Sequence, residues 1–252
     1  MSLICFEKIY KEFPDGFRVS DVSFEVEDKG VYGFLGKALS GKTVLSKMIA
    51  LSYMEDGGVI KYKDEPVSSS EKQRASIRKR IGYAPEKCFF DGRFTVFEIL
   101  DLTGKAKGVD PDKRYRQTRE ALELVGMGEK RDTLVGELSL SEKKRLGIAN
   151  AIVGNPEIIV MDEPLRSLDA SSANDVRTLI GRLGKKRCVI VFSERPSEIE
   201  ELCQNVSILH NGSVRFSGCV DEVLKAVDGS AADGLASVLE AFCEEADDDD
   251  CI

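Results

Sequence analysis

Val31-Tyr-Gly-Phe-Leu35, then Gly36-Lys-Ala-Leu-Ser-Gly41-Lys42-Thr43, then Val44-Leu-Ser-Lys-Met-Ile-Ala50 succeed one another without a break, and the fold class is legible in them. The first run is a short buried-type strand, the second is a loop bounded by glycines, and the third carries helical periodicity. Strand, loop and helix in that order are the setting in which the spacing G-x-x-x-x-G-K-T cradles phosphate. Successive backbone N–H groups wrap the anion at a helix N-terminus, Lys42 reaches the terminal phosphates, and the Thr43 hydroxyl ligates magnesium. The segment Gly36, Lys37, Ala38, Leu39, Ser40, Gly41, Lys42, Thr43 and Val44 is therefore the expected binding site for ATP, with Mg²⁺ as its companion ion.

On either side of this run the pattern changes. Leu3 to Glu27 alternates apolar and polar residues around the turn signal Pro14-Asp-Gly16, which predicts antiparallel strands. Val59 to Val67 predicts another polar-alternating strand pair, and Lys72 to Arg80 a basic helix leading into the strand Ile81-Gly-Tyr-Ala84. From Asp91 to about Asn155 the pattern is almost wholly helical, as in Arg114-Tyr-Arg-Gln-Thr-Arg-Glu-Ala-Leu-Glu-Leu-Val125, which predicts an inserted helical subdomain. Continuous apolar runs return at Ile158-Ile-Val-Met161 and Val189-Ile-Val-Phe192, the kind buried on both faces of a parallel sheet. Asn211-Gly212 between Val206-Ser-Ile-Leu209 and Val214-Arg-Phe216 is a hairpin signal.

The fold class is thus α/β: a P-loop NTPase with a RecA-like core, an antiparallel β subdomain and an inserted α-helical subdomain. The expected division is 1–225 for the ATPase domain, with its core in 1–90 and 151–225 and its helical part in 91–150. A C-terminal helix and acidic tail fill 226–252.

Asp162 closes the apolar strand, so its carboxylate sits at the sheet edge beside the expected magnesium. Glu163 follows it and is the candidate general base for polarising an attacking water.

Bulk properties exclude several classes. No apolar run approaches the roughly 20 residues that span a bilayer, and no signal peptide is readable. Seven cysteines without a CxxC pair fit a reducing cytoplasm and small buried hydrophobes better than a disulfide framework. A net charge of −8 argues against a general nucleic-acid surface, so no nucleic-acid partner is expected. Much of that charge lies in Glu244 to Asp250, expected to be solvated and without structure.

The order of phosphate loop, helical stretch, Leu138-Ser-Leu-Ser-Glu142, Val160-Met-Asp-Glu-Pro164 and Ser167-Leu-Asp169 resembles the ATP-binding subunits of ABC transporters. The likeness runs from about Leu3 to Gly218 and is strongest to single-domain ATPases that serve separate membrane subunits. It implies an adenine-stacking aromatic at Phe13, with Tyr10 as the nearby alternative. It also implies a loop at Asp169 touching a second ATPase across a dimer, and phosphate donors at Ser139 and Ser141 directed to the partner's ATP.

Four places depart from that resemblance. Leu39 stands where the family usually has glycine. Glu86 replaces the glutamine that touches magnesium and the water, and is read as a cofactor and metal contact beside Thr43 and Asp162. Glu194 takes the place of the catalytic switch histidine, and the single histidine, His210, lies beside the hairpin turn and is read as structural. An ionised Glu194 about 4 Å from a phosphate oxygen would cost roughly 4 kcal/mol at an effective dielectric near 20. It must turn away, be protonated or meet a cation. Finally, Leu140 and Ser141 stand where the signature has glycines, and Ser139-x-x-Glu142 matches a capping box in which the helix satisfies its own first amides.

The expectation is an ATP-binding subunit, with reduced hydrolysis, that pairs with a transmembrane transporter subunit and forms a homodimer or a heterodimer with a second ABC ATPase. Its place would be the cytoplasm, peripheral on the inner face of the cell membrane. A soluble regulatory ATP-binding protein or a pseudoenzyme that dimerises on ATP remains the alternative.

Overall fold

The computed structural model describes residues 2–226 and 234–249. In chain order the strands are β1 (Ile4–Glu12), β2 (Arg18–Val26), β3 (Gly30–Leu35), β4 (Gly57–Tyr62), β5 (Glu65–Pro66), β6 (Ile81–Ala84), β7 (Ile158–Asp162), β8 (Cys188–Ser193), β9 (Asn205–His210) and β10 (Ser213–Cys219). The helices are α1 (Lys42–Ile49), α2 (Glu71–Arg78), α3 (Val96–Lys107), α4 (Pro111–Leu124), α5 (Leu140–Ile152), α6 (Ala170–Gly184), α7 (Pro196–Leu202), α8 (Val220–Ala226) and α9 (Leu235–Asp249).

Two sheets result. An antiparallel one runs β2-β1-β4-β5, and a six-stranded one runs β10-β9-β3-β8-β7-β6, parallel throughout except for β10 at its edge. The apolar runs of the central strands are continuous because both faces are covered. Val31, Leu35, Ile159, Met161, Val189 and Val191 face one core, formed with α5 and α6. Tyr32, Phe34, Ile158, Val160, Ile190 and Phe192 face the other, formed with α1 and the antiparallel sheet. Phe34 stacks on Phe192 with ring centroids 4.7 Å apart, and Phe24 of β2 meets Phe34 edge-on at 4.9 Å.

The parallel register positions the site. Leu35 pairs with Ser193, Phe192 with Asp162, and Met161 with Ala84, so the four strands end at one level. The residues just past these strand ends gather along one sheet edge: the loop from Gly36, Glu194, Glu163 and Glu86. Carboxyl edges of parallel strands are where α/β sheets bind ligands.

The hairpin at Asn211-Gly212 forms with φ of 44° and 76°, the left-handed pair that a two-residue turn matched to strand twist requires. It does more than join β9 to β10. Gly212 N–H donates to Ser40 O at 3.0 Å and its own carbonyl accepts from Ser20 N–H at 3.1 Å, so the turn braces the phosphate loop against β2. A Cβ on Gly212 would strike the Arg18 carbonyl.

One expectation is corrected. The acidic run expected to lack structure is helical backbone through Asp249, within α9, because the apolar start of that helix is anchored: Leu235, Val238 and Leu239 are buried beside α7 and β9. Asp250 lies outside the described residues.

Candidate functional site

The loop between β3 and α1 is shaped by glycine at both ends. A Cβ on Gly36 would meet Ser40 Oγ and, at 2.7 Å, the carbonyl of Leu209, while Gly41 takes a φ of 103° as the residue before α1. Leu39 stands in the left-handed region at φ 66°, with its side chain 92% exposed. Glycine adopts that backbone freely and leucine does so under strain, which gives the glycine preference at this position a physical cause.

Lys42 is buried, and its ammonium uses its three donors on Gly36 O at 2.8 Å, Lys37 O at 2.8 Å and Glu194 Oε1 at 3.4 Å. Thr43 Oγ1 donates to Asp162 Oδ2 at 2.8 Å, joining α1 to the end of β7. The other carboxylate oxygen of Asp162 is buried with no hydrogen-bond partner, as is Ser40 Oγ. Burial raises the Asp162 carboxyl above its ordinary range.

Glu163 is buried, sits at φ 49°, and its amide donates to Phe192 O at 2.9 Å. Burial pushes its carboxyl up to about 7; Lys42 opposes the shift and Glu194 adds to it. Its Oε1 has no hydrogen-bond partner. A carboxyl with that affinity for protons changes state near neutral pH, where a general base is most effective.

The remaining ring is acidic but paired. Glu194 meets Lys42 on one side and Arg166 Nη1 at 3.7 Å on the other, and the same Arg166 Nη1 lies 3.3 Å from Glu86 Oε1. Of the three outcomes open to an ionised Glu194, the structure has it meet cations. Beneath, Lys144 of α5 donates to Glu86 O at 3.0 Å and to Asp162 O at 3.2 Å, clamping the start of that helix to two strand ends.

These groups line one open cavity of about 680 Å³. Ala38, Leu39, Gly41, Lys42, Thr43, Val44, Glu86, Asp162, Glu163, Glu194 and Phe13 all reach it. Gly36, Lys37 and Ser40 belong to the loop without lining the cavity. Phe13 stands with Phe17 at 6.2 Å and Tyr53 at 5.6 Å, ring centroid to ring centroid, an aromatic wall beside the loop. Tyr10 points elsewhere, donating to Glu12 Oε2 at 2.8 Å.

Ser139 and Ser141 do not line this cavity; they lie at the start of α5. There the capping box is complete: Ser139 N–H donates to Glu142 Oε2 at 2.9 Å and Glu142 N–H donates to Ser139 Oγ at 3.2 Å. Lys130 adds an ion pair to Glu142 at 3.1 Å. The Ser139 amide and Lys130 together hold the Glu142 carboxyl below its ordinary range. Asp169 caps α6, accepting from Ser172 N–H at 2.9 Å and Ser172 Oγ at 2.6 Å. His210 is buried at the end of β9, outside the cavity lining.

Sequence reasoning missed Arg166, Lys144, Phe17 and Tyr53. Only Arg166 had a readable signal: a lone cation three residues past Glu163, in a site where carboxylates had accumulated.

A phosphate loop at the carboxyl edge of parallel strands, with an acidic pair at the end of the strand one further across the sheet, beyond β8, defines a P-loop nucleoside-triphosphatase fold. A sequence model of the ABC transporter family matches residues 19–166. Methionine import ATP-binding protein MetN 1 of Enterococcus faecalis is 30% identical over 199 residues, which are 78% of this chain and 56% of that protein. Bacitracin transport ATP-binding protein BcrA of Bacillus licheniformis is 34% identical over 198 residues, 78% of this chain and 63% of that one. Among solved structures, an ATP-binding subunit of an ABC transporter superposes with a TM-score of 0.84 at 20% identity, covering 96% of this chain and 99% of that chain. A dimeric ATP-binding cassette in a post-hydrolysis state, bound to ADP and Pi, gives 0.79 at 18% identity, covering 86% and 98%. The chain belongs to the ABC transporter family. It spans only 56% of the methionine import protein and 63% of the bacitracin transport protein.

Proposed function

We propose that this chain binds ATP with Mg²⁺ and hydrolyses it slowly, as the ATP-binding subunit of a membrane transporter. One observation carries the reading: Lys42, Thr43, Asp162 and Glu163, from two separate strand ends, converge in one cavity that also holds buried polar atoms with no protein partner, Asp162 Oδ1 among them. Thr43 and Asp162 present hard oxygen donors of the kind Mg²⁺ takes, and they would hold it. Bound there, the ion would supply charge neutralisation for the phosphates.

The chain's own residues divide the remaining work. Loop amides and Lys42 bind and orient the phosphates, and the Phe13 wall takes the base. Glu163 accepts a proton from the attacking water, competent once it has lost its own near pH 7.

Slow turnover is the consequence of two features. Glu194 competes for Lys42, and the start of α5 is occupied by its own Glu142. We infer that such a chain works best beside a second ATPase, as a homodimer or a heterodimer, the latter supplying an intact signature. That the MetN 1 and BcrA relatives are named for import and transport supports a membrane subunit as the working partner, with this chain on the inner face of the membrane. Among the described residues no helix is long and apolar enough to cross a membrane, so the span would come from that partner. The division into a core of 1–90 and 151–225 and a helical part of 91–150 belongs to the same proposal. No observation favours the regulatory alternative.

Titrating Mg-ATP into the purified chain, and isolating the chain from its native membranes, tests this. The expected result is ATP binding together with recovery of a polytopic membrane protein. Absence of nucleotide binding, or a chain recovered only as a soluble species, would overturn it.

A further inference from the structure

We propose that Arg166 is a positioning residue that lets this pocket accept a triphosphate, by retaining Glu194 and Glu86 when Lys42 turns to the phosphates. The inference rests on the nucleotide reading above.

The charge inventory sets the problem. Among the described residues lining the cavity, Asp15, Glu86, Asp162, Glu163 and Glu194 are acidic, and only Lys42 and Arg166 are basic. A polyanion entering such a cavity meets more repulsion than attraction unless the carboxylates nearest the phosphates are neutralised in place.

The geometry shows how they are. Glu86, Arg166, Glu194 and Lys42 form a row of alternating charge, with separations of 3.3, 3.7 and 3.4 Å. An ammonium has three donors, and all three of Lys42 are in use. Its two short bonds, 2.8 Å each, go to loop carbonyls that shape the cradle; the longest, 3.4 Å, goes to Glu194. Phosphate therefore gains Lys42 most easily by displacing Glu194. That leaves a carboxylate beside the bound anion, with Arg166 as its remaining partner.

Arg166 suits the task. A guanidinium offers five donors in a planar fork and stays charged, so it can hold two carboxylates at once. Its backbone is fixed in the turn after β7, with its amide donating to Glu163 O at 3.3 Å, and Leu165 before it is buried in the core. Its side chain is 45% exposed, free to move with Glu194 as the lysine leaves. The two acidic departures at Glu86 and Glu194 and this one cation thus act as a set: neither carboxylate is tolerable beside a triphosphate without it.

The test is calorimetric titration of Mg-ATP and Mg-ADP into the full chain and into Arg166→Met, Arg166→Lys and Arg166→Met/Glu194→Gln. Arg166→Met is expected to weaken Mg-ATP binding about tenfold and Mg-ADP binding less than about threefold, because only the triphosphate brings the extra charge. Arg166→Lys should keep most of the affinity, and adding Glu194→Gln should restore Arg166→Met to within about threefold of the parent. Equal losses for both nucleotides without rescue by Glu194→Gln would assign Arg166 a merely structural role and overturn the inference, as would unchanged ATP affinity in Arg166→Met. A parent chain that binds neither nucleotide would instead remove the nucleotide reading itself, and the inference with it.

Discussion

Helices α1 and α5 both start where the family resemblance places a phosphate, yet their first turns are finished in opposite ways. The start of α1 has Gly41 before it, no side-chain cap and no acidic residue in its first turn. The start of α5 has a complete capping box, with the Glu142 carboxylate on the Ser139 amide, the Ser139 hydroxyl on the Glu142 amide and Lys130 behind that carboxylate. A helix start with free amides and a positive dipole end attracts an anion, and one that has placed its own carboxylate there already carries the negative charge an anion would bring. The same backbone physics therefore leaves one end open to an anion and gives the other a carboxylate of its own.

Lys42 is where this contrast is most exposed to challenge. Lys42→Ala should weaken Mg-ATP binding by about 100-fold or more, measured by calorimetry, since it removes the charged donor at the open end. Unchanged affinity would mean that the α1 start is not where nucleotide sits.

A gain is expected at the closed end. Glu142→Ala with Leu140→Gly removes the carboxylate that takes the Ser139 amide and should raise ATP turnover of the assembled transporter about threefold, a dipole-sized effect. No gain in turnover or nucleotide affinity would dismiss self-capping as the reason for slow hydrolysis.

Glu163 gives a pH-dependent test. Its folded-state carboxyl is raised to about 7, above the unfolded range, so the folded state holds the proton more tightly. Linkage sets the sign: its contribution is most favourable at low pH and becomes a penalty as pH rises toward and past 7. Glu163→Gln should therefore raise the Tm by about 2–4 °C at pH 8 and leave it unchanged near pH 4, read by thermal melts at the two pH values. Hydrolysis by the parent should rise between about pH 6 and 8 as the base form appears.

The smallest effect lies in the loop of the open end. Leu39→Gly relieves a left-handed backbone but frees the unfolded chain, so the net stabilisation should be about 0.5 kcal/mol by urea melts. Destabilisation there would show that the exposed leucine makes contacts of its own.

Much of this is legible in the order of residues alone. Glycine spacing, the apolar strands and the Asn211-Gly212 turn are local signals, and each stands where the pattern puts it. The capping box is also local, needing only Ser139 and Glu142 three residues apart. What sequence does not carry is lateral: that β4 pairs with β1 across the antiparallel sheet, that the Gly212 turn braces Ser40, and that Arg166 stands between Glu86 and Glu194. Those contacts join residues far apart in the chain, or depend on where a long side chain swings, and no periodicity encodes either. Phe13 and Tyr10 show the same limit. They lie three residues apart in one segment, and only the fold turns Phe13 into the cavity and Tyr10 toward Glu12.

Amide hydrogen exchange with and without Mg-ATP decides between the two helix starts, because it reads both in the same sample. New protection is expected at the amides of Gly41 to Val44 and none at Ser139 and Glu142, whose amides already donate to the Glu142 carboxylate and the Ser139 hydroxyl. Protection that appears at the start of α5 while the amides from Gly41 to Val44 remain unchanged would contradict the assignment of one open and one closed helix end.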